Sequence, residues 1–135
     1  MSKLNLIDII KKHEGCSLTM YKDTRDVWTI GYGHNLAEGI DAETADFILK
    51  RDLEKHTIEL DRNKPFWREL PDNVQIVVLS MQFNMGYPRF SKFIKFWDAI
   101  QRKDFESAAI EMEDSRWWEQ IKSRGPELRD LLLNK

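Results

Sequence analysis

Only one stretch of this 135-residue chain has the composition of a sheet, and it lies near the N-terminus. Leu18-Thr19-Met20-Tyr21-Lys22 and Val27-Trp28-Thr29-Ile30-Gly31-Tyr32 are rich in β-branched and aromatic residues. Between them Asp23-Thr24-Arg25-Asp26 carries turn chemistry. These residues predict one β-hairpin. From Gly39 onward every patterned segment reads as helix, so the expected fold class is α+β and mostly helical.

The helices follow from spacing and punctuation. Leu4, Ile7, Ile10 and Lys11 lie at helical intervals, and Gly15 is a natural stop, which predicts a helix from about Leu4 to His13 or Glu14. Asp41 is a suitable N-cap for a long helix from about Ala42 to Leu60. Its core stripe would be Ala45, Ile48, Leu49, Leu53, His56 and Leu60, with the Lys/Glu-rich side from Leu49 to Arg62 solvated. Pro65 and Pro71 bracket a short helical turn. Asp72 is then the expected N-cap of a helix from about Asn73 to Met85, apolar nearly all round and so expected at the buried centre. Ser91 is the predicted cap of a helix carrying Phe93, Ile94, Trp97 and Ile100. Phe105, Ala108, Ala109 and Met112 mark another helix, and short ones are expected at about Ser115–Ile121 and Pro126–Leu132. Trp97 and Trp117 read as core. The expected architecture is one domain over 1–135: a hairpin lobe at about 15–40, a connecting helix at about 41–60, and a helical lobe from 1–14 and 61–135.

Composition closes off several classes. Hydrophobic residues at 41% and charged residues at 33% exclude a disordered or fibrous chain. No apolar run approaches the roughly 18 residues of a membrane span. A net charge of -2 gives no global nucleic-acid signature. Cys16 is the single cysteine, which excludes an intramolecular disulfide. His13, His34 and His56 are too scattered for a metal site, and no cofactor is implied. Asp8 interrupts the apolar N-terminal stretch and no small-residue cleavage site follows, so no signal peptide is expected. The protein would stay in the cytoplasm until something releases it.

Among many carboxylates, position has to decide. Glu14 falls at the C-terminal end of the first helix, where the helix dipole disfavours an ionised acid. A local rule broken in this way favours a functional site. Asp23 ends the first strand and Thr29 lies on the returning one. A protonatable carboxyl facing a second carboxylate that holds a water is the layout of glycoside hydrolysis. Taken singly, each has a plainer reading: a helix-end Glu is usually solvated surface, and an Asp in a hairpin is usually turn chemistry.

Together the motifs are specific. Glu14-Gly15-Cys16-Ser17-Leu18-Thr19-Met20-Tyr21-Lys22-Asp23 and Trp28-Thr29-Ile30-Gly31-Tyr32-Gly33-His34 resemble the phage-type lysozymes, glycoside hydrolase family 24, of the T-even phage type. Phe83-Asn84-Met85-Gly86 is similar to a helix end of that family, as are Ala108-Ala109 with Ser115-Arg116-Trp117. The resemblance runs from about Leu4 to Leu132 and implies a lysozyme-like fold with its cleft between the two lobes.

By that resemblance Glu14 is the general acid, and Asp23 and Thr29 position the attacking water. Arg124 would hold Glu14. Asn35, Phe83 and Asn84 would bind substrate, Trp28 and Trp118 are further cleft candidates, and His34 would pair with Asp52 in a structural role. The implied activity is a muramidase cutting the β-1,4 bond between N-acetylmuramic acid and N-acetylglucosamine, with inversion, for host lysis. The implied partner is the peptidoglycan glycan strand, bound by a monomer with no nucleic acid and no stable membrane association. Two rivals stay open at this point: a lysozyme-like binding module without turnover, and a lytic transglycosylase. Asp26 replaces a glycine usual in the family, and the segment from His34 to Asp41 is short, so the hairpin lobe is expected to lack a strand or an extended loop.

Overall fold

The structure, a computed structural model, describes residues 5–135. Leu4, the predicted start of the first helix, lies outside them. The chain divides into two compact units, one ending at Phe47 and the other spanning Ile48–Lys135.

The first unit opens with α1 (Leu6–Glu14), capped by Asn5, whose side chain accepts from the Ile7 N–H. Two strands follow, β1 (Ser17–Lys22) and β2 (Trp28–Gly31), antiparallel with Tyr21 opposite Thr29 and Lys22 opposite Trp28. The hairpin is thus where the sequence predicts it. At its turn Asp26 adopts a φ of 65°. Aspartate tolerates this left-handed region better than most residues, which is how the turn closes on a residue other than glycine.

A third strand, β3 (His34–Asn35), was not expected. It pairs with β2 through Thr29 opposite Asn35 and Ile30 opposite His34. Two residues are too short to show a period of two, so no pattern betrays it. A 3-10 turn, Leu36–Glu38, leads on from there.

Helix α2 (Ala42–Asn63) begins in the first unit and ends in the second. Asp41 caps it as expected, accepting from the Thr44 N–H at 2.8 Å. Its predicted core stripe is corrected: Leu60 alone is buried, Leu53 and His56 are half-buried, and Ala45, Ile48 and Leu49 are exposed.

In the second unit a 3-10 turn at Pro65–Glu69 lies between the two prolines, and α3 (Asp72–Met85) follows. The predicted cap is corrected, because the helix starts one residue earlier, with Asp72 inside it and Pro71, which has no side-chain acceptor, at the cap position. Helix α3 buries Val74, Val77, Val78, Met81 and Gln82, while Ile76 and Phe83 stay exposed, so it is central without being enclosed. Then come α4 (Tyr87–Phe90), α5 (Ile94–Gln101), α6 (Phe105–Glu113), α7 (Arg116–Ile121) and α8 (Arg124–Leu132). Helix α4 was not expected, and Ser91 does not cap α5. Its hydroxyl donates instead to the Pro88 carbonyl at 3.0 Å, closing α4, and α5 has no side-chain cap.

The core of the second unit is aromatic. Phe90 packs against Trp97 with ring centroids 4.6 Å apart and planes tilted by 44°, and Phe96 and Phe93 pack around it. Trp97 and Trp117 are buried as predicted, and the Trp97 indole N–H donates to the Phe90 carbonyl at 2.9 Å. Each such side chain stabilises the fold by about 1.5–3 kcal/mol through burial. Among the described residues no helix is long and apolar enough to cross a membrane.

Candidate active site

Glu14 is the last residue of α1, and the backbone turns immediately behind it. Gly15 takes a φ of 66° and returns its N–H to the Lys11 carbonyl at 2.9 Å. This geometry demands glycine and aims the chain into β1. The Glu14 carboxylate is exposed and lies against the α-carbon of Gly33. A methyl group built on Gly33 would sit 2.9 Å from Glu14 Oε2. Gly33 has a φ of 82°, so its missing side chain serves both the turn after β2 and the acid beside it.

Asp23 follows β1 directly. Its Oδ1 accepts two backbone N–H groups, from Arg25 at 2.8 Å and Val27 at 2.9 Å. The Asp23 N–H in turn donates to the Val27 carbonyl at 2.9 Å. The bond from Val27 first, then that from Arg25, holds the carboxyl below the usual aspartate range, because both favour the charged form. Among the described residues Oδ2 receives no hydrogen bond. The turn reading and the catalytic reading therefore use different oxygens of one side chain.

Thr29 sits in the middle of β2 and is 4% exposed. Its hydroxyl donates to the Val27 carbonyl at 2.9 Å. The Val27 backbone thus joins the two predicted residues: its N–H holds Asp23 and its carbonyl holds Thr29. With its proton engaged, the Thr29 oxygen offers only lone pairs to anything else.

Asn35, on β3, caps the following 3-10 turn, its Oδ1 accepting from the Ala37 N–H at 2.9 Å. Its amide N–H groups are not used by that cap. The His34 ring places Nε2 2.9 Å from the Gly39 carbonyl, which leaves Nδ1 for a second partner.

The second unit assembles another set. Phe83, Asn84 and Arg124 line one cavity of about 490 Å³, together with Leu53, Ile76 and Trp117 among others. Phe83 is 40% exposed. Asn84 Oδ1 accepts the Trp117 indole N–H at 2.7 Å, so a core residue fixes the orientation of a surface amide. Arg124 opens α8, and the next residue, Gly125, lies beneath Trp118. A methyl there would meet two ring carbons at 2.9 Å. Trp118 is half-buried by this contact and by the Arg129 guanidinium 5.6 Å from its ring. Asp52, on α2, is half-buried. Trp28 is 47% exposed, with the Lys22 ammonium over its ring.

Sequence reasoning gave no role to Gly33 or Val27. Gly33 carried a signal, as a glycine set between a strand and a histidine. Val27 carried none, because it acts through its peptide. Among the described residues no group of three or more His, Cys, Asp and Glu side chains is placed to hold a metal ion.

Residues 11–132 match the protein family described as phage lysozyme. The chain is 29% identical to the probable T4-type lysozyme 2 of Dictyostelium discoideum, over 89% of this chain and 88% of that protein. It is 32% identical to an endolysin of Acyrthosiphon pisum secondary endosymbiont phage 1, over 62% of this chain and 58% of that protein. It is also 23% identical to the pre-baseplate central spike protein of Enterobacteria phage T4, where the match covers 96% of this chain but 28% of the spike protein.

Proposed function

The chain belongs to the phage lysozyme family and is a lysozyme, a peptidoglycan hydrolase, and from that premise we propose that it cuts the β-1,4 bond between N-acetylmuramic acid and N-acetylglucosamine with inversion. Glu14 is the general acid that protonates the leaving oxygen. Asp23 is the base for the attacking water, and Thr29 helps to hold that water.

The observation that carries this reading is the division of labour at Asp23. Oδ1 is locked by two backbone N–H groups, so Oδ2 is both fixed and open. The same bonds keep the carboxyl ionised, as a base must be. A water between Asp23 Oδ2 and Thr29 Oγ1 would donate both its protons to these two acceptors. Its lone pair is then left for the anomeric carbon. A carboxylate that attacked carbon itself would have no use for the threonine. Inversion requires room for that water, roughly 6.5–9.5 Å between the two carboxyl groups.

Asn35 and Asn84 support substrate binding in the same manner. Each has its amide oxygen engaged by the protein, which presents the N–H groups to sugar hydroxyls or acetamide carbonyls. Phe83 offers an exposed apolar edge to a sugar face. The family resemblance further assigns Arg124 to hold Glu14 and His34 to pair with Asp52. We propose these pairings on that ground alone, and double-mutant cycles read each as a coupling energy. The whole chain acts as one lysozyme domain, a monomer on the glycan strand, without nucleic acid or a lasting membrane partner. It waits in the cytoplasm of the cell that makes it until it is released to the wall.

Proton NMR of the anomeric signals, taken in the first minutes of digestion, tests the stereochemistry before mutarotation erases it. The α-anomer at the new reducing end is the expected product. A β-anomer appearing first, or a glycosyl adduct on Asp23, would overturn the water-holding roles of Asp23 and Thr29.

A further inference from the structure

Gln82 is a polar side chain in a place where packing alone asks for none. It lies on the core face of α3, completely buried beside Met81 and Val78. Its amide nitrogen is 3.2 Å from His56 Nδ1 and donates to Glu59 Oε1 at 3.0 Å. Its amide oxygen is buried with no partner. A buried polar atom left unpaired is rare enough to require a reason.

The reason is found on the far side of His56. His56 and Glu59 lie one turn apart on α2, so they share a face. The His56 ring meets Phe83 edge-on, with centroids 5.6 Å apart and planes at 69°. Phe83 follows Gln82 in sequence and lines the cavity that also holds Asn84 and Arg124. The buried amide fixes the imidazole, and the imidazole backs the exposed phenyl ring.

We propose that Gln82 and His56 form a latch that positions Phe83 on the wall of this groove, which makes His56 a positioning residue for glycan binding. The inference rests on the reading of Phe83 as a substrate contact.

The latch is built for one protonation state. Both amide protons of Gln82 are directed at acceptors, so Nδ1 of His56 carries no proton in this arrangement. If Nδ1 takes up a proton, two donors face each other across 3.2 Å. The amide answers by a half-turn, and its orphaned oxygen then accepts from Nδ1. That half-turn withdraws the donor from Glu59, which stands 4.0 Å from Nδ1 and pairs with the imidazolium instead. Glu59 is the one acidic group within that reach of His56 among the described residues. From α3 the ring is faced by the neutral Gln82 and the apolar Phe83. The backing of Phe83 therefore holds while Nδ1 carries no proton and shifts when it takes one up.

Steady-state kinetics on soluble glycan-strand fragments over a pH series test this, with imidazole NMR reporting the protonation state of His56 at each point. Wild type should show a KM that rises severalfold as His56 takes up its proton. His56→Ala should raise KM severalfold at every pH with kcat within about twofold. His56→Phe keeps an aromatic edge against Phe83 without a titrating group, so KM should stay near the wild-type neutral value and lose its pH step. Gln82→Met keeps the volume of the buried side chain, should leave the thermal melt intact, and should abolish the same step. If Phe83→Ala raises KM while the His56 and Gln82 variants keep the wild-type KM profile, the latch is overturned and the substrate reading of Phe83 stands. If Phe83→Ala leaves KM unchanged, both fall.

Discussion

Glu14→Gln preserves the shape of the side chain that lies over Gly33 and removes its proton. General acid catalysis contributes roughly 10²–10⁴-fold, so lysis of wall suspensions, read as loss of turbidity, should fall by at least the lower figure. The melting temperature should hardly move, because the side chain is exposed and glutamine keeps its shape over Gly33. Gly33→Ala acts on the same site from the other side. A side chain at positive φ costs about 1–2 kcal/mol, and the new methyl must displace the Glu14 carboxylate, the free end of a flexible side chain. Activity should therefore fall further than the loss of stability explains, which paired melts and turbidity assays separate. Asp23 sets an acid limit. Its carboxyl is held below the ordinary aspartate value in the folded chain. Its contribution to stability is thus complete above the unfolded value of about 3.9 and is lost as the pH falls through the lowered folded value. Asp23→Asn should be less stable than wild type near neutrality, and the two melting curves should converge in acid.

At the scale of elements, the legible features were those written in local chemistry. The hairpin showed because Tyr21, Trp28, Thr29 and Ile30 are strand formers flanking a turn. The α2 cap showed because Asp41 is the right residue in the right place. What failed depended on partners elsewhere. Strand β3 exists because Asn35 and His34 pair with β2, and two residues carry no period. Ser91 looked like a cap for α5, but Pro88 presents a carbonyl to its hydroxyl first. The candidate site was legible only where residue type and spacing carry the signal, at the proposed residues Glu14, Asp23 and Thr29. It was silent where a peptide group does the work, as at Val27. Two substitutions test how elements hold the groove. Asn84→Ala leaves the buried Trp117 indole N–H without its acceptor, a loss of about 1–3 kcal/mol readable by denaturant titration. Gly125→Ala drives a methyl into the flat side of Trp118 at the start of α8. Because a packed ring cannot step aside cheaply, about 1–3 kcal/mol of destabilisation is expected in the same titration.

Over the whole molecule the core is unevenly shared. Every buried apolar side chain among the described residues, from Leu60 to Leu132, belongs to the unit Ile48–Lys135. Among the described residues of the unit ending at Phe47 the one buried residue is Thr29, while Leu6, Ile7, Leu18 and Phe47 are more than 60% exposed. A fragment of residues 48–135 should accordingly melt cooperatively by circular dichroism, and a fragment ending at Phe47 should show no transition. The proposed acid, base and water-holding threonine all lie on the unit that lacks a core of its own, so catalysis is expected only from the full chain. The measurement that tests the account most directly is mass analysis of the products released from purified peptidoglycan by wild type and by Glu14→Gln. The account predicts fragments ending in a reducing N-acetylmuramic acid, each carrying the added water, from the wild type and almost none from the variant. Fragments ending in the anhydro sugar, one water lighter, or undiminished release by Glu14→Gln, would contradict it.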